Sequence, residues 1–77
     1  MTPSEAFGQV LKEARTQREI SQEKLALNCD LDRTFISLLE RGQRQPSLAS
    51  ILSLSTSLNI PADELIKQTI DILEKNN

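Results

Sequence analysis

The strongest constraint on this chain is a pair of helix starts set close together, at Ser21 and Asp32. A short side-chain oxygen just before a helix accepts amide protons that the first turn leaves unpaired. Behind Ser21, Leu25, Ala26 and Cys29 recur at helical spacing; behind Asp32, Ile36 and Leu39 do the same. The second pattern ends at Gly42, where a residue without a Cβ can close a helix. The spacing predicts helix, short turn, helix over about residues 21–42.

Setting the second helix on a wheel, at about 100° per residue, puts Phe35, Ile36 and Leu39 on one side. Arg33, Thr34, Ser37, Leu38 and Arg41 fall on the other, a surface of two guanidinium forks, two hydroxyls and one apolar group. Those groups suit a DNA major groove: Arg can bind guanine through two hydrogen bonds, Ser and Thr can serve either base type, and an apolar side chain can touch a thymine methyl. An ordinary solvated helix face has the same composition, and the arc alone does not separate the two readings.

A length of 77 residues allows one domain, 1–77, with a small core. A chain this short buries only about 60% of its unfolded surface, so association with a second copy would help. Nine Lys and Arg against eleven Asp and Glu leave a net charge of −2, which does not by itself announce a nucleic-acid partner. The surplus is local. Residues 1–20 carry three charges of each sign, residues 21–45 four of each, and residues 46–77 two positive against four negative. Between residues 33 and 46, Arg33, Arg41 and Arg44 meet a single acid, Glu40; with Glu40 turned inward, that side is locally positive.

One cysteine and no histidine exclude an internal disulfide and a Cys/His metal cluster, and neither metal nor cofactor is expected. Cys29 lies on the apolar face of its helix and reads as a buried, inert thiol. No nucleophile and base pair is evident, and Gly8 and Gly42 make no phosphate-cradling loop, so an enzyme is not expected. No signal peptide or membrane span is recognisable, and a cytoplasmic protein fits.

Thr2, Pro3 and Glu5 form a further helix start: Thr2 as cap, Pro3 at the first helical position, Glu5 completing a capping box. Phe7, Val10, Leu11 and Ala14 follow as the buried stripe of a helix running to about Gln17, which Gly8 weakens slightly. Arg15 lands beside that stripe, where an unpaired charge is unfavourable, and should have a partner. The polar loop Gln43-Arg44-Gln45-Pro46 would cross a DNA backbone, with Arg44 and Gln43 as its phosphate contacts. Ser47 caps a fourth helix with Leu48, Ile51, Leu52, Ser55 and Leu58 at helical spacing; its many serines make it depend on packing. Asn59-Ile60-Pro61 breaks it, and a fifth helix runs over about 62–75 with Asp63 and Glu64 in its first turn and Lys75 in its last. There Leu65, Ile66, Thr69, Ile70, Ile72 and Leu73 fill an arc about 160° wide, against the roughly 100° that covers a core. A second copy is the simplest cover for the remainder, and a homodimer through these residues is expected.

Ser21-Gln22, Leu25-Ala26, Ile36-Ser37, Glu40-Arg41-Gly42 and Pro46 also carry a resemblance to the helix-turn-helix domains of the lambda repressor and Cro type, the XRE family, over about Phe7 to Leu65. Leu31-Asp32-Arg33-Thr34-Phe35-Ile36-Ser37 is most similar to the small controller proteins of restriction-modification systems. The resemblance implies an all-α, compact five-helix domain acting as a sequence-specific regulator of transcription on double-stranded DNA. Arg33, Thr34 and Ser37 would read bases, with Leu38 on a thymine methyl and Phe35 at the boundary of core and groove. Ser21, Gln22 and Arg41 would join Gln43 and Arg44 on the DNA backbone, Gln22 either touching a phosphate or bracing the second helix of the pair. Glu40 would be the partner of Arg15. Leu38 departs from the pattern, since family members often carry a polar base reader there. A dimer would set two reading helices roughly 34 Å apart on a palindromic site, repressing by blocking RNA polymerase or activating by touching it. No small-molecule effector is evident. The competing reading is a protein-interaction module, an antitoxin or adaptor with the same fold, which the acidic C-terminal balance favours weakly.

Overall fold

Side-chain caps open four of the five helices in the computed structural model, which describes residues 1–76. Thr2 Oγ1 accepts from the Glu5 amide at 3.1 Å, and Glu5 Oε1 accepts from the Thr2 amide at 2.8 Å, so α1 (Pro3–Gln17) begins with a closed capping box. Ser21, Asp32 and Ser47 accept amide protons at 3.0 Å from Lys24, Thr34 and Ser50, opening α2 (Gln22–Cys29), α3 (Arg33–Glu40) and α4 (Leu48–Leu58). Only α5 (Ala62–Lys75) lacks a side-chain cap, and Asp63 and Glu64 complement its dipole instead.

The helix ends share a device. Glu19, Asp30, Gly42 and Asn59 all take left-handed backbone, with φ of 56°, 55°, 74° and 56°. After each, an amide reaches back five residues to a helix carbonyl: Ile20 to Arg15, Leu31 to Ala26, Gln43 to Leu38 and Ile60 to Ser55. That bond satisfies a carbonyl the helix leaves open. Ile20, Leu31 and Ile60 then turn in against the core, which anchors three of the four connections. Gln43 stays exposed, as do Arg44 and Gln45 after it on the loop from α3 to α4.

The core is the set Phe7, Val10, Leu11 and Ala14 from α1, Leu25, Ala26 and Cys29 from α2, Ile36 and Leu39 from α3, Leu54 and Leu58 from α4, and Leu65 from α5. Helix α1 packs on α3 and α5, and α2 on α3 and α4. Gly8 is the reason α1 and α3 can sit so close. A Cβ at that position would lie 2.7 Å from the Glu40 carbonyl oxygen and nearer still to that of Leu39. What reads in the sequence as a weak point of α1 is the seat for the end of α3.

In α4 the buried residues are Ser50, Leu54 and Leu58, whereas Leu48 and Leu52 are 73% and 52% exposed. One expectation needs correction. In α5, Leu65 and Thr69 are buried within the chain, Thr69 Oγ1 donating to the Leu65 carbonyl at 2.8 Å, so neither is available to a second copy. Their faces are taken by the domain's own core. Ile66 and Ile70 remain 40% and 47% exposed, with Ile72 and Leu73 half-buried. No helix among the described residues is long and apolar enough to cross a membrane.

Candidate nucleic-acid interface

Helix α3 presents the arc expected of it. Ile36 and Leu39 are buried, Arg33, Thr34 and Arg41 are exposed, and Ser37 and Leu38 are half-exposed between them. Asp32 fixes where the helix begins and Gly42 where it ends, so the five outward side chains are set by two local signals and the apolar stripe between them.

Charge on this arc is decided beneath it. The Glu40 side chain is only 2% exposed and Arg15 12%, and the two form a two-point ion pair, Arg15 Nε to Glu40 Oε2 at 2.6 Å and Nη2 to Oε1 at 3.0 Å. Hydrogen bonding to the carboxylate holds the Arg15 guanidinium above its ordinary pKa, against the burial that lowers it. Arg15 Nη1 also donates to the Ile20 carbonyl at 2.8 Å, tying α1 to the start of the helix pair. With Glu40 neutralised inside, Arg33, Arg41 and Arg44 are the charges that segment shows to solvent.

Gln22 extends this network toward the surface. Its Nε2 donates to Glu40 Oε1 at 3.0 Å, and its Oε1 accepts from Arg33 Nη1 at 3.3 Å. The side chain braces α3 from the first residue of α2. Nothing in its type and position alone distinguishes this from a free surface glutamine; the eleven-residue separation from Arg33 acquires meaning only once the two helices are crossed.

Ser21 Oγ is committed to the Lys24 amide, and Arg41 Nε to the Ser37 carbonyl at 3.3 Å, both residues remaining exposed at the ends of the pair. Gln43 and Arg44 lie exposed on the outgoing loop, with the Arg44 guanidinium over the ring of half-buried Phe35. Ser21, Gln22, Arg33, Thr34, Ser37, Leu38, Arg41, Gln43 and Arg44 thus belong to the helix pair and its exit loop. Leu48 and Leu52, which the sequence places at helical spacing in α4, form an exposed apolar pair that spacing alone does not reveal.

A helix-turn-helix family model matches residues 11–65, which contain the second half of α1, all of α2, α3 and α4, and the start of α5. The chain belongs to this family. Within it, the chain is 44% identical over 64 residues to the control protein C.BamHI of Bacillus amyloliquefaciens, covering 82% of this chain and 79% of that one. It is 42% identical over 60 residues to the control protein C.MunI of a Mycoplasma species, covering 77% and 81%. The crystal structure of the restriction-modification controller protein C.AhdI of Aeromonas hydrophila superimposes with a TM-score of 0.79 at 48% identity, covering 80% of this chain and 94% of that one. The XRE-type helix-turn-helix assignment and its likeness to controller proteins therefore rest on family, sequence and structure alike.

Proposed function

We propose that this protein is a sequence-specific double-stranded DNA-binding regulator of transcription, a controller protein of the restriction-modification type, working in the cytoplasm as a two-fold homodimer. The observation that carries the reading is the outward arc of α3: guanidinium and hydroxyl groups on a capped helix whose one acid is buried against Arg15. Arg33, Thr34 and Ser37 read base edges, Leu38 meets a thymine methyl, and Ser21, Arg41, Gln43 and Arg44 hold the DNA backbone while Gln22 braces α3. Ile66 and Ile70, with the exposed parts of Ile72 and Leu73, form the contact between copies. Exposed Leu48 and Leu52 add apolar surface on α4, which packs beside α5.

A two-fold dimer places its α3 helices about one DNA turn apart, roughly 34 Å, and reads a palindromic or near-palindromic operator. Bound at a promoter, it represses by excluding RNA polymerase or activates by touching it. Regulation by concentration follows from the dimer equilibrium, since only the pair spans the whole site.

Selection of bound duplexes from a random pool tests the reading, followed by a salt series on the selected sequence and on scrambled DNA. The expected result is a two-fold symmetric motif whose binding weakens steeply with salt, as counterion release requires. No enrichment would refute it in favour of a protein-interaction module.

A further inference from the structure

Of the five arginines, four have guanidinium groups already engaged: Arg15 with Glu40, Arg18 with the Ala14 and Leu58 carbonyls, Arg33 with Gln22, and Arg41 with the Ser37 carbonyl. Arg44 is the exception among the described residues, making neither a hydrogen bond nor an ion pair there. It is nevertheless held. Its Cζ stands 5.7 Å from the centroid of the Phe35 ring, within the distance at which a ring face attracts a cation. Phe35 is packed against the core and cannot drift. The loop is fixed just before Arg44 by Gly42 at φ 74° and by the Gln43 amide bonded to the Leu38 carbonyl at 2.9 Å.

A guanidinium held over a ring by its charge spends no hydrogen bond on that contact, and its N–H groups are what grip a phosphate in a fork. We infer that Phe35 is a positioning residue for Arg44, its ring presenting the guanidinium edge to a DNA phosphate, and that Phe35 itself reads no base. This deepens the DNA-binding reading above and rests on it. The ring limits the rotamer freedom that a solvated arginine would lose on binding. Because phosphates carry no base identity, the contribution is the same on every duplex.

The experiment compares wild type, Phe35→Leu, Phe35→Tyr, Arg44→Ala and the Phe35→Leu/Arg44→Ala double variant on the selected operator and on scrambled duplex. Phe35→Leu keeps apolar packing and removes the ring face. It is expected to weaken both duplexes by one common factor, about two- to five-fold, and to cost nothing further in the Arg44→Ala background. Phe35→Tyr, which keeps the ring, restores binding. In free wild-type protein, NMR should show the Arg44 side-chain protons shifted upfield by the ring current, a readout independent of whether Phe35→Leu folds well. A Phe35→Leu loss confined to the operator, an equal loss without Arg44, or unshifted Arg44 protons would overturn the inference. Wild-type protein that binds neither duplex would overturn the regulator reading and this inference together, whereas binding with uncoupled losses overturns the inference alone.

Discussion

Gly8→Ala sets two effects of opposite sign against each other in α1. On helix propensity alone, alanine in the middle of a helix is favoured by about 1 kcal/mol over glycine. The new Cβ, however, would lie 2.7 Å from the Glu40 carbonyl oxygen and closer still to that of Leu39. Both obstacles are backbone atoms, so no rotamer change relieves them. The end of α3 is further pinned by the Gly42 amide on the Leu39 carbonyl at 3.1 Å, the Gln43 amide on Leu38, and the Arg15–Glu40 pair. Overpacking costs about 1–3 kcal/mol, and a rigid backbone contact belongs in the upper half of that range. The net expectation is a loss of about 1–2 kcal/mol, or roughly 4–16 °C in Tm for a domain of this size. Urea unfolding followed by helical circular dichroism, at fixed protein concentration, measures it; the midpoint should fall with an unchanged slope. A variant about 1 kcal/mol more stable than wild type would show that propensity governs and that α1 and α3 do not approach this closely.

Glu40→Ala strands Arg15 beside the core and is expected to cost about 3–5 kcal/mol, as for other broken buried pairs; in a cycle with Arg15→Ala, absence of coupling would refute the pairing. Arg33→Ala should relax preference at one base pair of the operator and cost about 1–3 kcal/mol there; equal weakening on all sequences would make Arg33 a phosphate contact. Glu5 is held below its ordinary carboxylate pKa by the Thr2 backbone amide and then by the Thr2 hydroxyl, so its charge stabilises the fold above about pH 4.5 and stops doing so as pH falls through the lowered value. Glu5→Gln keeps the acceptor and drops the charge, and its Tm deficit should shrink as the pH is lowered from about 6 through the depressed pKa of Glu5. Ile70→Asp should give a folded monomer in sedimentation while Leu65→Asp unfolds the chain; a dimeric Ile70→Asp protein would place the contact between copies elsewhere.

What the sequence disclosed was mostly chemistry within a few residues. Thr2, Ser21, Asp32 and Ser47 were legible because a cap acts on its own first turn. The left-handed ends were legible at Gly42 and at Asn59-Ile60-Pro61, but not at Glu19 or Asp30, since glutamate and aspartate are poor markers of left-handed backbone. Yet Glu19-Ile20-Ser21, Asp30-Leu31-Asp32 and Asn59-Ile60-Pro61 share one order, a left-handed residue, a half-buried aliphatic and the residue before the next helix. A search for that order would have found all three. Which face of α4 is buried was not legible, for a different reason. Leu48, Ile51, Leu52, Leu54 and Leu58 leave it apolar on more than one face, and packing on α2, where Cys29 Sγ approaches the Ser53 carbonyl at 3.6 Å, selects Leu54 and Leu58. In the site, residue type predicted that Arg15 needs a partner but not which; family resemblance supplied Glu40, and the Gln22 to Arg33 contact depends on how two helices cross.

An acidic chain that presents a basic reading face is not a contradiction, because the two charges act at different ranges. Arg15 removes Glu40 from the surface, which leaves Arg33, Arg41 and Arg44 without a competing outward acid between residues 33 and 46. The surplus of two acids lies on α5, where Asp63, Glu64, Asp71 and Glu74 outnumber Lys67 and Lys75, and α5 packs chiefly on α1 and α4 in a molecule 35 Å long and 23 Å across. Fields between exposed charges decay over about 8 Å at physiological salt. At contact, a DNA phosphate therefore responds to the arginines near it and little to α5. Farther out, the net charge of −2 gives the duplex no general attraction to the protein. Sequence-independent binding, which is almost wholly electrostatic, is thereby kept weak, while contacts that need the fitted surface of α3 keep their strength. Lowering the net negative charge on α5, which packs on α1 and α4 and not chiefly on α3, should then raise binding to scrambled DNA more at low salt than at high salt and leave operator preference nearly unchanged.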